Sequence, residues 1–295
     1  MRVLVTGATG YIGSAVCELL QKAGHVTVGL ARTEEKAQLL ESRGYLAVRG
    51  ALGDHNVLRN AAKASDGVIH AAMQFGTEAG AIDSSAVAAL IEALSGSGKP
   101  LIYSSGVWVM GNTKGQLKGE VSALAPPPMV AWRPAVEQMV LDSRDKGVKG
   151  VVLRSGIVFG RKAGRLAGMF RDAKTLGVVR VIGDGENHWS TIHVDDLADL
   201  YVRAVTEPAQ GELFIACGGM PQPVGKIARA VAKTCGVDGK IELIPLETAR
   251  AQMGPLADCL ALDCKAGSTK AARYFGWTVR KPSIFDEIFS GSYLS

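Results

Sequence analysis

The chain has 295 residues, 47% hydrophobic and only 6% aromatic, with a formal charge of +5 at neutral pH. That length and apolar content fill one large core, or a large one and a smaller one. The positive charge is mild and dispersed, without the dense Lys/Arg block that marks nucleic-acid binding. Cys17, Cys217, Cys235, Cys259 and Cys264 contain no CxxC pair, and the histidines show no ligand spacing, so no metal site is expected. Reduced, mostly buried thiols in a cytoplasmic protein are the expectation. The chain opens directly into strand residues, which suggests no leader, and no apolar run approaches the ~20 residues of a membrane span.

Residues 2–6, RVLVT, form an apolar run ending at Gly7, the pattern of a parallel strand buried on both faces. A glycine-rich turn and a helix to about Ala23 follow. Further strands are expected at 25–31, 45–50, 67–72 and 100–105. Helices are expected at 34–44, closed by Gly44, at 54–64 with Asp54 as its cap, and at 78–97. Such strand–helix alternation predicts an α/β fold, a doubly wound parallel Rossmann sheet. After residue 106 the pattern loosens. A proline-ending loop (106–128) leads to a helix from Met129 to Lys146 and a sixth strand at 150–156. Short strands (VVRVI, ELFIAC, IELIP) and helices near 195–206, 224–235 and 268–275 complete the chain. The expected domains are 1–160, the dinucleotide-binding part, and 161–295, mostly a smaller α/β substrate lid partly interleaved with the first.

TGATGYIG places Gly7, Gly10 and Gly13 between the first strand and the first helix. The first glycine allows a tight turn, the second a close backbone approach to a pyrophosphate, and the third close packing of helix on strand. The helix start offers N–H donors and a positive dipole end to phosphate. Gly7, Thr9, Gly10, Tyr11, Ile12 and Gly13 are therefore expected to hold a dinucleotide.

The Gly-x-x-Gly-x-x-Gly spacing resembles the extended and atypical short-chain dehydrogenase/reductase family, whose members are NAD-dependent epimerase/dehydratase-like. DGVIHAA (66–72), LIYSSGVWVMG (101–111), LRSGIVFG (153–160) and STIHVDDLADLYVRAV (190–205) carry the same resemblance in order. It implies a nicotinamide cofactor across the strand ends, with Ala71 and Ala72 beside a ribose. It also implies Ser104 near the cofactor and the backbone of Ser155, Gly156, Ile157 and Val158 facing the carboxamide.

The second strand ends GLARTEEK, without a carboxylate for a ribose 2′-hydroxyl. Arg32 can pair with a 2′-phosphate instead, with Thr33 and Lys36 nearby, so NADP(H) is preferred and NAD(H) remains possible. The family's Gly-Asp-Leu adenine contact is Gly50-Ala51-Leu52 here, leaving Leu52 to pack on the adenine.

Counting back from Glu137-Gln138, the family's tyrosine is Met129 and its lysine is Arg133. The resemblance is thus to the atypical subgroup lacking Tyr-x-x-x-Lys. A thioether carries no transferable proton, and a guanidinium is no acid near neutrality, although Arg133 can hold ribose hydroxyls. The family's strand-five serine falls on Gly106, with Ser105 and Ser104 just before it. The residues placed in catalysis are Arg133, Ser105 and His193. His188 is a further candidate; a structural reading has His193 bonding backbone and Asp195 capping the helix. The expected function is NADP(H)-dependent hydride transfer to a small organic acceptor without the usual tyrosine. A catalytically silent NADP(H) sensor and a sugar-nucleotide epimerase or dehydratase are the alternatives. The expected partner is a small-molecule substrate, with neither nucleic acid nor membrane, in a monomer or homodimer.

Overall fold

The computed structural model describes residues 1–74, 76–267 and 269–294. Its strands are β1 (Arg2–Thr6), β2 (Val26–Ala31), β3 (Leu46–Arg49), β4 (Gly67–His70), β5 (Pro100–Gly106), β6 (Lys149–Ser155), β7 (Ile157–Gly160), β8 (Val179–Ile182), β9 (His188–Trp189), β10 (Thr191–His193), β11 (Glu212–Ala216), β12 (Gln222–Pro223) and β13 (Ile241–Ile244). Its helices are α1 (Tyr11–Lys22), α2 (Glu34–Glu41), α3 (His55–Lys63), α4 (Ala79–Leu94), α5 (Arg133–Asp142), α6 (Gly164–Leu176), α7 (Val194–Thr206), α8 (Val224–Thr234), α9 (Leu246–Met253), α10 (Leu256–Ala261), α11 (Thr269–Phe275) and α12 (Ile284–Ser290).

The chain divides into two compact units. The first comprises Met1–Ser105, Trp132–Arg154 and Leu197–Phe214; the second comprises Gly106–Ala131, Ser155–Asp196 and Ile215–Ser295. Residues 106–131 and 155–160, read from the sequence with the first domain, thus cluster with the second, and 197–214 cluster with the first. The cause is topological: the chain returns to the first unit late, to add most of α7 and the start of β11.

The first unit carries a seven-stranded sheet in the order β11-β6-β5-β4-β1-β2-β3, the parallel Rossmann sheet expected from the alternation. Val3, Leu4 and Val5 are fully buried, because helices cover both sheet faces. Leu58, Leu90, Leu101, Tyr103 and Val152 join Leu4 in one apolar core. In register, Thr6 pairs with His70 and His70 with Tyr103. The strand ends after these residues therefore form a row: Gly7, Ala71, Ser104.

Two local expectations are corrected. The helix expected from Met129 to Lys146 is three pieces: a single turn at Pro128–Val130, α5, and a turn at Ser143–Lys146. Pro134 lacks an N–H and suits only the first turn of a helix, so α5 starts at Arg133. Asp54 precedes α3 but makes no capping bond; its carboxylate accepts the Ala51 N–H at 2.6 Å and closes the preceding turn.

The second unit uses short pairs: β7 with β10 and β8 with β13, both parallel, and β9 with β12, antiparallel. Phe159, Phe170, Ile227, Val231 and Ile288 fill one of its cores, and Val107, Val109, Met110, Ile215 and Cys264 another. Among the described residues no helix is long and apolar enough to cross a membrane.

Candidate cofactor and hydride-transfer site

The glycine turn is built so closely that side chains are excluded. Gly7 has φ +74°, and a Cβ there would lie 2.7 Å from the Ala71 carbonyl oxygen. A Cβ on Gly13 would lie 2.1 Å from the Gly7 oxygen, well inside contact distance. The Gly10 N–H donates to the Gly7 carbonyl at 2.8 Å and closes the turn. Gly10 caps α1 without a side chain, and no carboxylate occupies the first helical turn. The positive end of the helix dipole is therefore left to an anion. Thr9, Tyr11 and Ile12 are half-buried at this rim, and Gly10 is exposed. The residues fit a dinucleotide pyrophosphate: the cradle is one that any Cβ would fill.

At the tip of β2, Arg32 is exposed and, among the described residues, has no ion-pair partner. Thr33 caps α2 by accepting the Lys36 N–H. Glu34, two residues on, is ion-paired with Arg49 at the end of β3. Leu52 is buried in the first unit's apolar core. Ala71 and Ala72 are half-buried after β4, where the Ala72 N–H donates to Thr6 Oγ1 at 3.3 Å.

Alternation along β5 sends neighbouring side chains to different helices. Tyr103 donates to Asp83 of α4 at 2.7 Å. Asp83 also meets His70 at 3.0 Å, and the other nitrogen of that ring lies 2.9 Å from Thr6 Oγ1. Burial pushes the Tyr103 phenol far up, against the opposing pull of Arg133. Ser104 accepts a hydrogen bond from Tyr201 of α7 at 2.7 Å. Ser105 donates to Glu137 of α5, whose carboxylate holds the buried Arg154 at 2.6 Å. The Ser105 hydroxyl, placed in catalysis from the sequence, is thus engaged by a buried ion pair.

Arg133 opens α5 with its guanidinium fixed from several sides. It donates to the Ser104 carbonyl at 2.6 Å, reaches the Tyr103 hydroxyl at 3.5 Å and the Met73 sulfur at 3.1 Å. It also stacks over Trp132 with its carbon 4.8 Å from the ring centre. Gly7, Ala71, Ser104 and Arg133 all belong to the first unit.

The other candidates lie in the second unit. Met129 is half-buried and packs against the core of Val107, Val130 and Cys264. The N–H groups of Gly156 and Ile157, expected to face a carboxamide, donate instead to Ala216 and Ser190 at 2.9 and 2.8 Å. Ser155 is buried, and Val158 sits in β7 opposite Ile192 of β10. His193 is buried and accepts the Asp195 N–H at 3.1 Å, so the histidine caps the start of α7. The Asp195 carboxylate, expected to cap, pairs with Arg161 at 2.6 Å. Burial lowers the His193 pKa, while Asp195 and Glu287 oppose that shift. His188 pairs with Asp263 at 2.9 Å.

Asp83, Tyr201 and Arg154 were missed. Each acts through a partner distant in sequence, such as Ser104 with Tyr201, so no local pattern announces it. Among the described residues no group of His, Cys, Asp and Glu could hold a metal ion.

A model of the NAD dependent epimerase/dehydratase family matches residues 3–216. The chain is 31% identical to an uncharacterized protein of Schizosaccharomyces pombe, over 99% of this chain and 100% of that one. It is 25% identical to a 2-alkyl-3-oxoalkanoate reductase of Stenotrophomonas maltophilia, over 84% of this chain and 80% of that one. In fold it is similar to the crystal structure of UDP-glucuronic acid 4-epimerase from Bacillus cereus, with a TM-score of 0.83, 19% identity, and coverage of 100% and 99% of the two chains. With the family match spanning the glycine cradle and the whole parallel sheet, the chain belongs to the NAD-dependent epimerase/dehydratase family.

Proposed function

We propose that this protein is an NADP(H)-dependent oxidoreductase that transfers hydride to a small organic acceptor without the family's usual tyrosine. The carrying observation is the β2 tip. Arg32 stands exposed there with no acidic partner among the described residues, while Glu34 is tied to Arg49. A guanidinium in that place favours a 2′-phosphate, and a carboxylate that would favour a 2′-hydroxyl is missing.

The backbone of Gly7, Thr9, Gly10, Tyr11, Ile12 and Gly13 would hold the pyrophosphate. Ala71 and Ala72 would lie beside a ribose, and Arg133 would take the place of the family's lysine. The reduced nicotinamide supplies a hydride when bound. Arg133 contributes a fixed positive charge and N–H donors, because the Ser104 carbonyl and the Trp132 ring hold its guanidinium. It keeps its proton, so it orients and does not act as an acid.

Loss of a positioned general acid typically costs about 10²–10⁴ in rate. With Met129 at the tyrosine place, conjugated alkenes and quinones are the favoured acceptors, because water can protonate their products. The name of the Stenotrophomonas maltophilia relative, a reductase, supports reduction as the direction. The same Met129 favours a second reading, an NADP(H)-binding sensor without turnover.

NADPH consumption across a panel of enones, quinones and aldehydes separates the two. Turnover of at least one class supports the oxidoreductase. Tight NADPH binding with no turnover of any of them rejects it in favour of the sensor.

A further inference from the structure

The Ser104 hydroxyl accepts from Tyr201 at 2.7 Å, and among the described residues no acceptor takes the proton of Ser104 itself. Ser104 as a residue is half-buried, whereas its partner Tyr201 is fully buried. Ser104 stands in the strand-end row next to Ala71, and Gly7 follows one strand further on. At a strand spacing of about 4.8 Å, Ser104 is roughly 10 Å from the glycine cradle. Its own carbonyl is the anchor of Arg133. A serine hydroxyl, a tyrosine phenol and a fixed cation are thus joined in the first unit, with the phenol coming from α7 instead of α5.

We infer that Ser104 is the hydrogen-bond and proton donor to the acceptor's oxygen, with Tyr201 as the positioning residue that replaces the proton Ser104 gives up. The inference rests on the proposed hydride transfer and extends it from proton-independent acceptors to aldehydes and ketones. When hydride from the reduced nicotinamide forms the new C–H bond, the π pair of the carbonyl moves to oxygen. The Ser104 O–H bond breaks as the alcohol O–H forms, and Ser104 takes the Tyr201 proton. Tyr201 is left as a phenolate, its charge opposed by that of Arg133. It recovers its proton through the Ser104 hydroxyl, which takes one from water once the alcohol has left.

The direction of proton flow is downhill. Burial pushes the Tyr201 phenol up to about 12, while its bond to Ser104 and the charge of Arg133 pull it down. The nascent alkoxide is far more basic than that phenolate, about as basic as hydroxide. A buried tyrosine that merely satisfied its hydroxyl would need only an acceptor. Here the acceptor also presents a proton of its own at the strand ends.

The test compares the wild type with Ser104→Ala, Ser104→Thr and Tyr201→Phe, using benzaldehyde and, as a proton-independent hydride acceptor, a quinone dye. NADPH binding is followed by its fluorescence in all four, so that rates are compared at saturation. Relative to dye reduction by the same variant at saturating NADPH, benzaldehyde reduction is expected to fall about 100-fold or more in S104A and Y201F and to survive in S104T. A readout independent of turnover is the ¹⁹F resonance of 3-fluorotyrosine at position 201, assigned by its absence in Y201F. Benzaldehyde added with NADP⁺ is expected to move it in the wild type and not in S104A. Equal aldehyde reduction by all four proteins, a wild type that binds NADPH but reduces only the dye, or an unmoved resonance overturns the inference while the cofactor reading stands. Failure of the wild type to bind NADPH overturns the cofactor reading itself.

Discussion

The turn after β1 and Arg133 at the start of α5 lie in the first unit, while Met129 lies in the second. In the proposed reading, the turn and the α5 entrance keep the family pattern to different degrees. At the turn all three glycines are present, and a Cβ on Gly13 would collide with the Gly7 oxygen at 2.1 Å. In the region leading into α5, side chains would do the chemistry, and in the proposed reading Met129 stands at the family's tyrosine place and Arg133 at its lysine place. The contrast has a steric origin. Met129 packs against the core of Val107 and Val130, and a flexible thioether adapts to many shapes of gap. Nothing but hydrogen fits at Gly13. In the proposed reading, cofactor binding is constrained by the fold, while proton handling is free to move to other groups.

The largest effect should come from Glu137→Ala. The change strands buried Arg154, and breaking a buried pair costs about 3–5 kcal/mol. Urea denaturation should show that loss, and a change below about 1 kcal/mol would mean that α5 is not anchored through this pair. Gly13→Ala should come next. Overpacking costs roughly 1–3 kcal/mol, and NADPH binding should disappear because the cradle must open. Unaltered NADPH affinity in that variant would erase the contrast drawn between the two regions.

Arg32→Ala should cost NADPH about 1.5–3 kcal/mol of binding, a charge-assisted contact, and leave NADH unchanged. Competition between the two nucleotides in the same titration measures this difference. The smallest effect is a pH slope from His193, whose folded pKa is lowered by burial against the pull of Asp195, Glu287 and Asp196. The unfolded chain then binds the proton more readily, so stability is full above about 6.5 and falls as pH drops below it, by at most about 1.4 kcal/mol per unit. Denaturation at pH 5.5 and 7.5 checks the sign, and His193→Gln should flatten the slope.

The same contrast explains what could be read beforehand. The first five strands were legible because each is a short apolar run bounded by turn residues, and the glycine cradle because three local residues create it. In the second unit, α9 and α10 escaped notice: each starts after a proline and is too short to establish a helical period. The helix α12 was not among the expected elements either, although Ser283 and Asp286 form a capping box at its start. The long helix expected from Met129 overlooked Pro134. Within the site, the exposed Arg32 was visible at the end of its strand. The engagement of Ser105 by Glu137, and of Ser104 by Tyr201, depends on which helix each face of β5 meets, and that is set by topology across 32 and 97 residues.

The most direct test of the central claim is a fluorescence titration of the wild-type protein with NADPH and with NADH under identical salt. The account predicts saturable binding of both or of NADPH alone, with NADPH at least about tenfold tighter, the equivalent of one charge-assisted contact. Equal affinity for the two would contradict the role given to Arg32, and binding of neither would contradict the reading of the glycine cradle.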